Sequence, residues 1–258
     1  MKVTVCQIDP DSNELDRCLD KLSDHIAAQK SDFLLLPEMS FSPWLAADPE
    51  PDPEKWVAAV ESHARCIGKL GRLGATAVIG TRPITTAEGS RRNEAYLWTS
   101  ESDRAVGVHE KYYLPNEDGY WEATWYDRGP KSFDATQALG MTIGVQICTE
   151  MWFFEWARAY GAAGADLLCV PRATPHGTTQ KWLMGGRAAA VSSGAYCLSS
   201  NLWRPPGAQT NCGGLAWVID PEGNILAQTD AQNPFATVEI NLEFARASKR
   251  TYPRYVEE

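Results

Sequence analysis

The stretch MTIGVQICTEMWFFEWARAYGAAGADLLCV, residues Met141 to Val170, decides how this chain is to be read. An apolar run ends in Cys148, two polar residues follow, and an aromatic-rich pattern of helical spacing leads to a second apolar run, DLLCV. Strand, helix and strand in succession are the signature of an α/β fold. The thiol at the first junction has four ordinary uses: small core residue, disulfide half, metal ligand or nucleophile. The residues around it have to choose among them.

Working outward, short apolar runs recur: VTVCQI, FLLLP, ATAVIG, EAYLW, AVGVHEK, AYCLSSN, GGLAWVID, NILAQT and ATVEI. Several are apolar almost throughout, as strands covered on both faces are. Between them, residues 13–30 place Leu15, Cys18, Leu19, Leu22 and Ile26 on one stripe. Residues 54–73 do the same with Trp56, Val60, Ala64, Ile67 and Leu70, and helical patterns also cover 151–164 and 178–194. WVIDPEGNILAQT reads as a hairpin with Pro221, Gly223 and Asn224 in the turn. With no repeat or linker, the chain is expected to form one α/β domain over 1–258, with two sheets or one large mixed sheet flanked by helices.

The chain has 258 residues and a formal net charge of -9, and no dense Lys/Arg cluster offers a nucleic-acid face. No run approaches the roughly 18 apolar residues of a membrane span. The start, MKVTVCQIDPDSNELD, lacks the features of a signal peptide, so a cytoplasmic protein is expected. Seven cysteines (Cys6, Cys18, Cys66, Cys148, Cys169, Cys197, Cys212) without CxxC spacing argue against a disulfide framework. With four histidines and no ligand pairs at zinc spacing, a structural zinc site is not expected.

Two further strand ends match the one at Cys148. Glu38 follows FLLL and Pro37, and Lys111 follows VGVHE just ahead of Pro115. Active sites in α/β folds collect at the carboxyl ends of strands. Each residue alone has a bland explanation, but the three together have a specific use. A thiol near its free pKa is mostly protonated at neutral pH and needs a base or a positive environment to act as a nucleophile. Glu38 can take that proton, and Lys111 can stabilise the oxyanion formed when a thiolate attacks a carbonyl-type carbon. A helix beginning near residue 151 would add positive potential at Cys148.

Glu38 in LLLPEM, Lys111 in HEKYYLP and Cys148 in GVQICTE resemble the Glu–Lys–Cys triad of the nitrilase superfamily of carbon–nitrogen hydrolases. WFFEWARAYGAAGADLLCVP, RAAAVSSGAYCLSSN and GGLAWVIDPEGNILAQT resemble the segments that follow the nucleophile in that family, so the likeness runs along nearly the whole chain. It implies a four-layer α-β-β-α sandwich and hydrolysis of a non-peptide C–N bond in a small linear amide or N-carbamoyl compound, with no metal or organic cofactor. It also implies a homodimer or larger assembly, with the tail from about 245 to 258 docking on a partner subunit.

The family uses a second glutamate. Glu122 in GYWEATWYDRG fits best, with Glu117 the competitor, and the backbone N–H of Thr149 would join Lys111 at the oxyanion. Thr149-Glu150 stands where nitrilases proper carry Trp-Glu, which favours amides over nitriles and leaves nitrile hydrolysis as the alternative. Arg172 in VPRATP occupies a position expected to face the pocket, where it would read a substrate carboxylate or pair with a glutamate such as Glu150. Trp125 and Trp152 are the pocket candidates from an aromatic group that includes Trp121, Phe153 and Phe154, most of which would serve core or subunit contacts. His176 reads as a loop residue. Two rivals stand outside this chemistry. A binding protein on the same scaffold is disfavoured by the intact triad, and a redox protein by the lack of a resolving cysteine at redox-motif spacing.

Overall fold

A computed structural model describes residues 1–10, 12–208 and 210–256, with the backbone alone at 12 and 13. The first half runs β1 (Lys2–Ile8), α1 (Ser12–Gln29), β2 (Phe33–Leu35), α2 (Pro53–Ile67), β3 (Ala77–Thr85), β4 (Arg91–Thr99), β5 (Arg104–Glu110) and the single-turn α3 (Glu122–Trp125). The second half runs β6 (Thr136–Ala138), β7 (Met141–Val145), α4 (Phe154–Ala162), β8 (Leu167–Arg172), α5 (Thr179–Ser193), β9 (Tyr196–Leu202), β10 (Trp217–Ile219), β11 (Ile225–Gln228), β12 (Phe235–Glu239) and α6 (Leu242–Ser248).

The strand order is β5-β4-β3-β2-β1-β9-β8-β7-β6, with β12 added to β1, and β10 and β11 beyond β9. β1 is the join. Its residues 2–6 pair with β12 and its residues 3–5 with β2, whereas only Gln7 and Ile8 pair with β9. The strand therefore leaves one sheet and enters the other, and the two sheets stack. Strand period then sorts the core. Val3, Val5, Phe33, Leu35, Ala77 and Ile79 belong to one apolar cluster with Ile143, Val145, Leu167 and Cys169 of the opposite sheet. Their neighbours Cys6, Ile8, Leu34, Leu36 and Val78 instead meet Leu15, Leu22, Ile26 and Cys66 of α1 and α2.

On the far side, α4 and α5 cover the second sheet. Small residues allow the close approach. A Cβ on Gly144 would lie 2.5 Å from the Tyr160 ring, and one on Gly161 2.4 Å from the Ser193 carbonyl. The helices begin and end where the sequence provides caps. Asp52 accepts the Glu54 and Lys55 N–H groups at 2.8 and 3.2 Å ahead of Pro53. Gly194, at φ 63°, closes α5 by donating to the Ala190 carbonyl. The result is the expected four-layer sandwich. No helix among the described residues is long and apolar enough to cross a membrane.

One expectation is corrected. The helix after Cys148 begins at Phe154, not near 151, because Cys148–Trp152 forms a 3₁₀ segment first. The helix terminus is thus six residues removed from the thiol. The tail also has a place on its own chain: the Arg158 guanidinium donates to the Val256 carbonyl and Arg254 pairs with Glu222 at 2.6 Å. Residues 257 and 258 of that tail lie outside the described residues.

Candidate active site

Three chain reversals converge. β2 ends and Pro37-Glu38 turns inward, with the Glu38 N–H donating to the Arg172 carbonyl at 3.2 Å. Lys111 extends β5 by one residue and bonds the Asn93 carbonyl of β4 at 2.8 Å. β7 gives way to Cys148, whose φ of 51° lies in the left-handed region that side chains other than glycine seldom occupy. Strain of this kind, about 1–3 kcal/mol, persists where surrounding structure enforces it, and here it turns the thiol out of the strand direction.

The side chains meet in the interior. The Lys111 ammonium donates to Glu38 Oε1 at 2.7 Å and to Glu122 Oε2 at 2.6 Å, and Asn93 Nδ2 donates to the same Glu38 oxygen at 2.8 Å. Lys111, Glu38 and Glu122 are each at most 1% exposed, and Cys148 is 3% exposed. Among the described residues, Glu38 Oε2, Glu122 Oε1 and Asn93 Oδ1 have no hydrogen-bond partner. Three acceptor atoms are therefore open at the site.

One ammonium between two carboxylates leaves a surplus negative charge in a poorly solvated place. Burial pushes the Glu122 carboxyl up to about 8; Lys111 opposes that shift and Glu38 adds to it. Burial alone would discharge Lys111, but Glu122, Glu38 and the Cys148 sulfur outweigh it and raise its pKa well above the usual lysine value. Burial and Glu38 likewise raise the Cys148 thiol well above its ordinary value, with Lys111 pulling the other way. The resting sulfur is thus a thiol, and the open Glu38 oxygen is the chemically suitable acceptor for its proton.

Sequence reasoning missed what holds this arrangement in register. Glu150, fully buried, accepts the Ile147 N–H at 2.8 Å and faces His109 Nε2 at 2.6 Å through one oxygen, and accepts the Tyr112 N–H at 2.8 Å through the other. One carboxylate so ties the residue before Cys148 to the residue after Lys111. The ring of His109 reaches the Ser132 carbonyl with its other nitrogen at 3.1 Å. A signal was present, since the two-residue strand period puts His109 and Lys111 on one face of β5. Asn93 carried no such signal, because only the β4–β5 register brings it beside Lys111.

A cavity of about 360 Å³ opens onto Cys148 and is lined by Thr149, Glu122, Trp152, Thr174, Glu117 and Lys181 among others. A larger cavity of about 510 Å³, beside α1, α2 and residues 41–48, contains none of the triad. Thr149 and Trp152 thus stand at the pocket, whereas two other expected pocket residues do not. Trp125 is core: its indole N–H donates to the Asp48 carbonyl at 2.7 Å, and it packs with Met39, Trp44 and Tyr126, anchoring the turn that carries Glu122.

Arg172 neither faces the pocket nor pairs with Glu150. Its guanidinium donates to Ser199 Oγ at 2.6 Å, Thr174 Oγ1 at 2.8 Å and the Leu215 carbonyl at 2.8 Å, and lies 4.0 Å from the Trp217 ring centre. Burial lowers its pKa to about 9. Register explains the placement, for Arg172 still pairs with Asn201 inside the β8–β9 ladder and the chain reaches the pocket only at Ala173 and Thr174. Glu117 sits exposed at the cavity mouth, and Lys111 pairs with Glu122 instead. Phe153 stacks on Tyr113, and His176, the first residue of a short 3₁₀ turn, bonds the Arg204 carbonyl at 2.9 Å.

Residues 2–250 match the carbon-nitrogen hydrolase family. The chain is 29% identical over 162 residues to a glutamine-dependent NAD(+) synthetase of Rhodobacter capsulatus, a match covering 60% of this chain and 28% of that protein. It is 26% identical over 162 residues to the N-carbamoylputrescine amidase of Arabidopsis thaliana, covering 57% of this chain and 54% of the relative. These matches thus take in about a quarter to a half of the relatives' own lengths. In three dimensions the chain is similar to a carbon-nitrogen hydrolase from Helicobacter pylori G27, with TM-score 0.86 and 18% identity, covering 99% of this chain and 94% of that one. An amidase from Nesterenkonia sp. superposes with TM-score 0.77 and 21% identity, covering 95% of this chain and 92% of that one. At those identities the likeness speaks for the fold, and the family match along the sequence carries the assignment: the chain belongs to the carbon-nitrogen hydrolase family.

Proposed function

We propose that this chain hydrolyses the terminal C–N bond of a small linear amide or N-carbamoyl compound through a thioester on Cys148. The observation that carries the reading is the buried Lys111 ammonium clamped between Glu38 and Glu122 beside a conformationally strained cysteine. The Cys148 thiol transfers its proton to Glu38, and the sulfur attacks the carbonyl carbon. The developing oxyanion is held by Lys111 and the Thr149 N–H. The tetrahedral intermediate collapses as its C–N bond breaks. The departing nitrogen takes the proton from Glu38 and leaves as ammonia or an amine. Water, deprotonated by Glu38, adds to the thioester; the C–S bond breaks, the sulfur regains a proton, and the acid or carbamate departs. Glu122 positions the carboxamide and keeps Lys111 oriented. Among the neighbouring structures, a Nesterenkonia amidase variant carries an acetamide moiety attached covalently at its active-site cysteine.

The test is ammonia release from short amides and ureido compounds by wild type and Cys148→Ala. The variant should fold, bind and release nothing, and the wild type should form a mass-detectable acyl adduct that the variant lacks. Turnover by Cys148→Ala would remove the mechanism. We also read the chain as a homo-oligomer, supported by the exposed apolar side chains Met184, Tyr252, Tyr255 and Val256. Light scattering giving a monomer mass at micromolar concentration would reject that reading.

A further inference from the structure

The cavity has a chemically simple inner end and a two-signed mouth. Its inner end holds Cys148 and Glu122, both buried, so only a narrow group such as a carboxamide or ureide reaches the sulfur. Of the charged side chains that line it, the remaining two are Glu117 and Lys181, and both are exposed. They come from different segments, Glu117 from the loop after β5 and Lys181 from the first turn of α5. No ion pair joins either of them to another described residue.

Unpaired charges on a protein surface are ordinary, but these two are seated. The Lys181 ammonium lies 5.6 Å from the centre of the Trp152 ring, which is itself held against Trp182 at 5.1 Å. Glu117 closes a tight turn with Tyr120 through backbone bonds of 3.4 and 2.8 Å, and the Tyr120 hydroxyl is tied to the Asn211 carbonyl at 2.7 Å. At about 360 Å³ the cavity suits a small ligand that fills it from sulfur to rim.

From this arrangement we infer that the substrate's far end carries both a carboxylate and an ammonium, as an α-amino acid does, with Lys181 taking the first and Glu117 the second. The inference rests on the reading of the site as one that hydrolyses amides or carbamoyl groups. A singly charged end would satisfy one rim residue and be repelled by the other, so the pair selects against both kinds of half-substrate. The two residues thus set specificity and leave the chemistry at the sulfur to others.

The experiment measures kcat and KM for ammonia release from ω-amides and ω-ureido compounds of matched length. Their far ends are neutral, carboxylate, ammonium or both, and the enzymes are wild type, Lys181→Ala and Glu117→Ala. The doubly charged compound should lead the wild-type series. Lys181→Ala should lower the preference for carboxylate-bearing over carboxylate-free substrates roughly tenfold, acting on KM, as expected for one partly exposed charge-assisted contact. Glu117→Ala should lower the preference for ammonium-bearing substrates to the same extent. Hydrolysis of any of these compounds with selectivity unchanged in both variants would overturn the inference while leaving the proposed function standing. No ammonia from any compound with wild type would overturn the proposed function itself.

Discussion

Replacing Glu150 with glutamine keeps the volume and removes one acceptor. The carboxylate meets two backbone N–H groups at 2.8 Å each and His109 Nε2 at 2.6 Å, all in the interior. If the glutamine oxygen stays on Ile147 and His109, its amide nitrogen faces the Tyr112 N–H, donor against donor. Flipped, it keeps Tyr112, donates to a neutral His109 and abandons Ile147. Either way one buried N–H is orphaned, which costs about 1–3 kcal/mol, and charge-assisted bonds become neutral ones at about 1 kcal/mol more. A loss of about 3 kcal/mol should lower Tm by roughly 10 °C in a chain of this size. Because Ile147 precedes Cys148 and Tyr112 follows Lys111, the same change loosens both reacting groups, and kcat should fall about 100-fold. KM should hold, since Glu150 does not line the cavity. Thermal unfolding by circular dichroism and ammonia release well below Tm check the two effects. A Glu150→Gln enzyme within twofold of wild type in kcat and within 2 °C in Tm would refute the reasoning.

Glu122→Gln should abolish most turnover and also change the pH dependence of stability. A carboxyl whose folded pKa is raised to about 8 binds a proton that the unfolded chain has released, so wild-type stability falls as pH rises from about 4.5 to 8, and the variant should lose that slope in urea titrations. His63 acts in the opposite sense. Burial lowers it from 6.5 to about 4, and its ring faces the Ala59 carbonyl and the Phe41 N–H. The unfolded chain therefore takes up the proton first, stability falls by about 3 kcal/mol as pH drops through that window, and His63→Gln should flatten the fall. Gly144→Ala drives a methyl to 2.5 Å from the Tyr160 ring and should cost about 1–3 kcal/mol in chemical denaturation. An unchanged midpoint would show that α4 yields freely at this point.

Much of the molecule is legible in local chemistry. Apolar runs of strand length, helical stripes and turn residues such as Pro221 and Gly223 define elements by short-range rules, and their alternation leads to the layered α/β fold. The triad is legible for a related reason. Glu38, Lys111 and Cys148 each stand where an apolar strand ends, and a thiol, a base and an ammonium suit one reaction. Even a wrong expectation had a local basis: an aromatic run after Thr149-Glu150 has helical spacing, yet the chain makes a 3₁₀ segment first because Glu150 turns back to accept the Ile147 N–H.

Register and burial belong to the tertiary structure. Arg172 belongs to the core because β8 pairs with β9 through that residue, and a guanidinium there is satisfied by Ser199, Thr174 and a carbonyl across the fold. Trp125 supports the Glu122 turn from behind, and Glu150 ties together the two strand ends that carry the proposed catalytic residues Lys111 and Cys148, 37 residues apart in the chain. Sequence by itself determined which groups leave their strands, because that depends on neighbours along the chain. Which of them face one another, and which face the core, was decided only when the strands took their partners, since a one-residue shift in pairing exchanges the two faces.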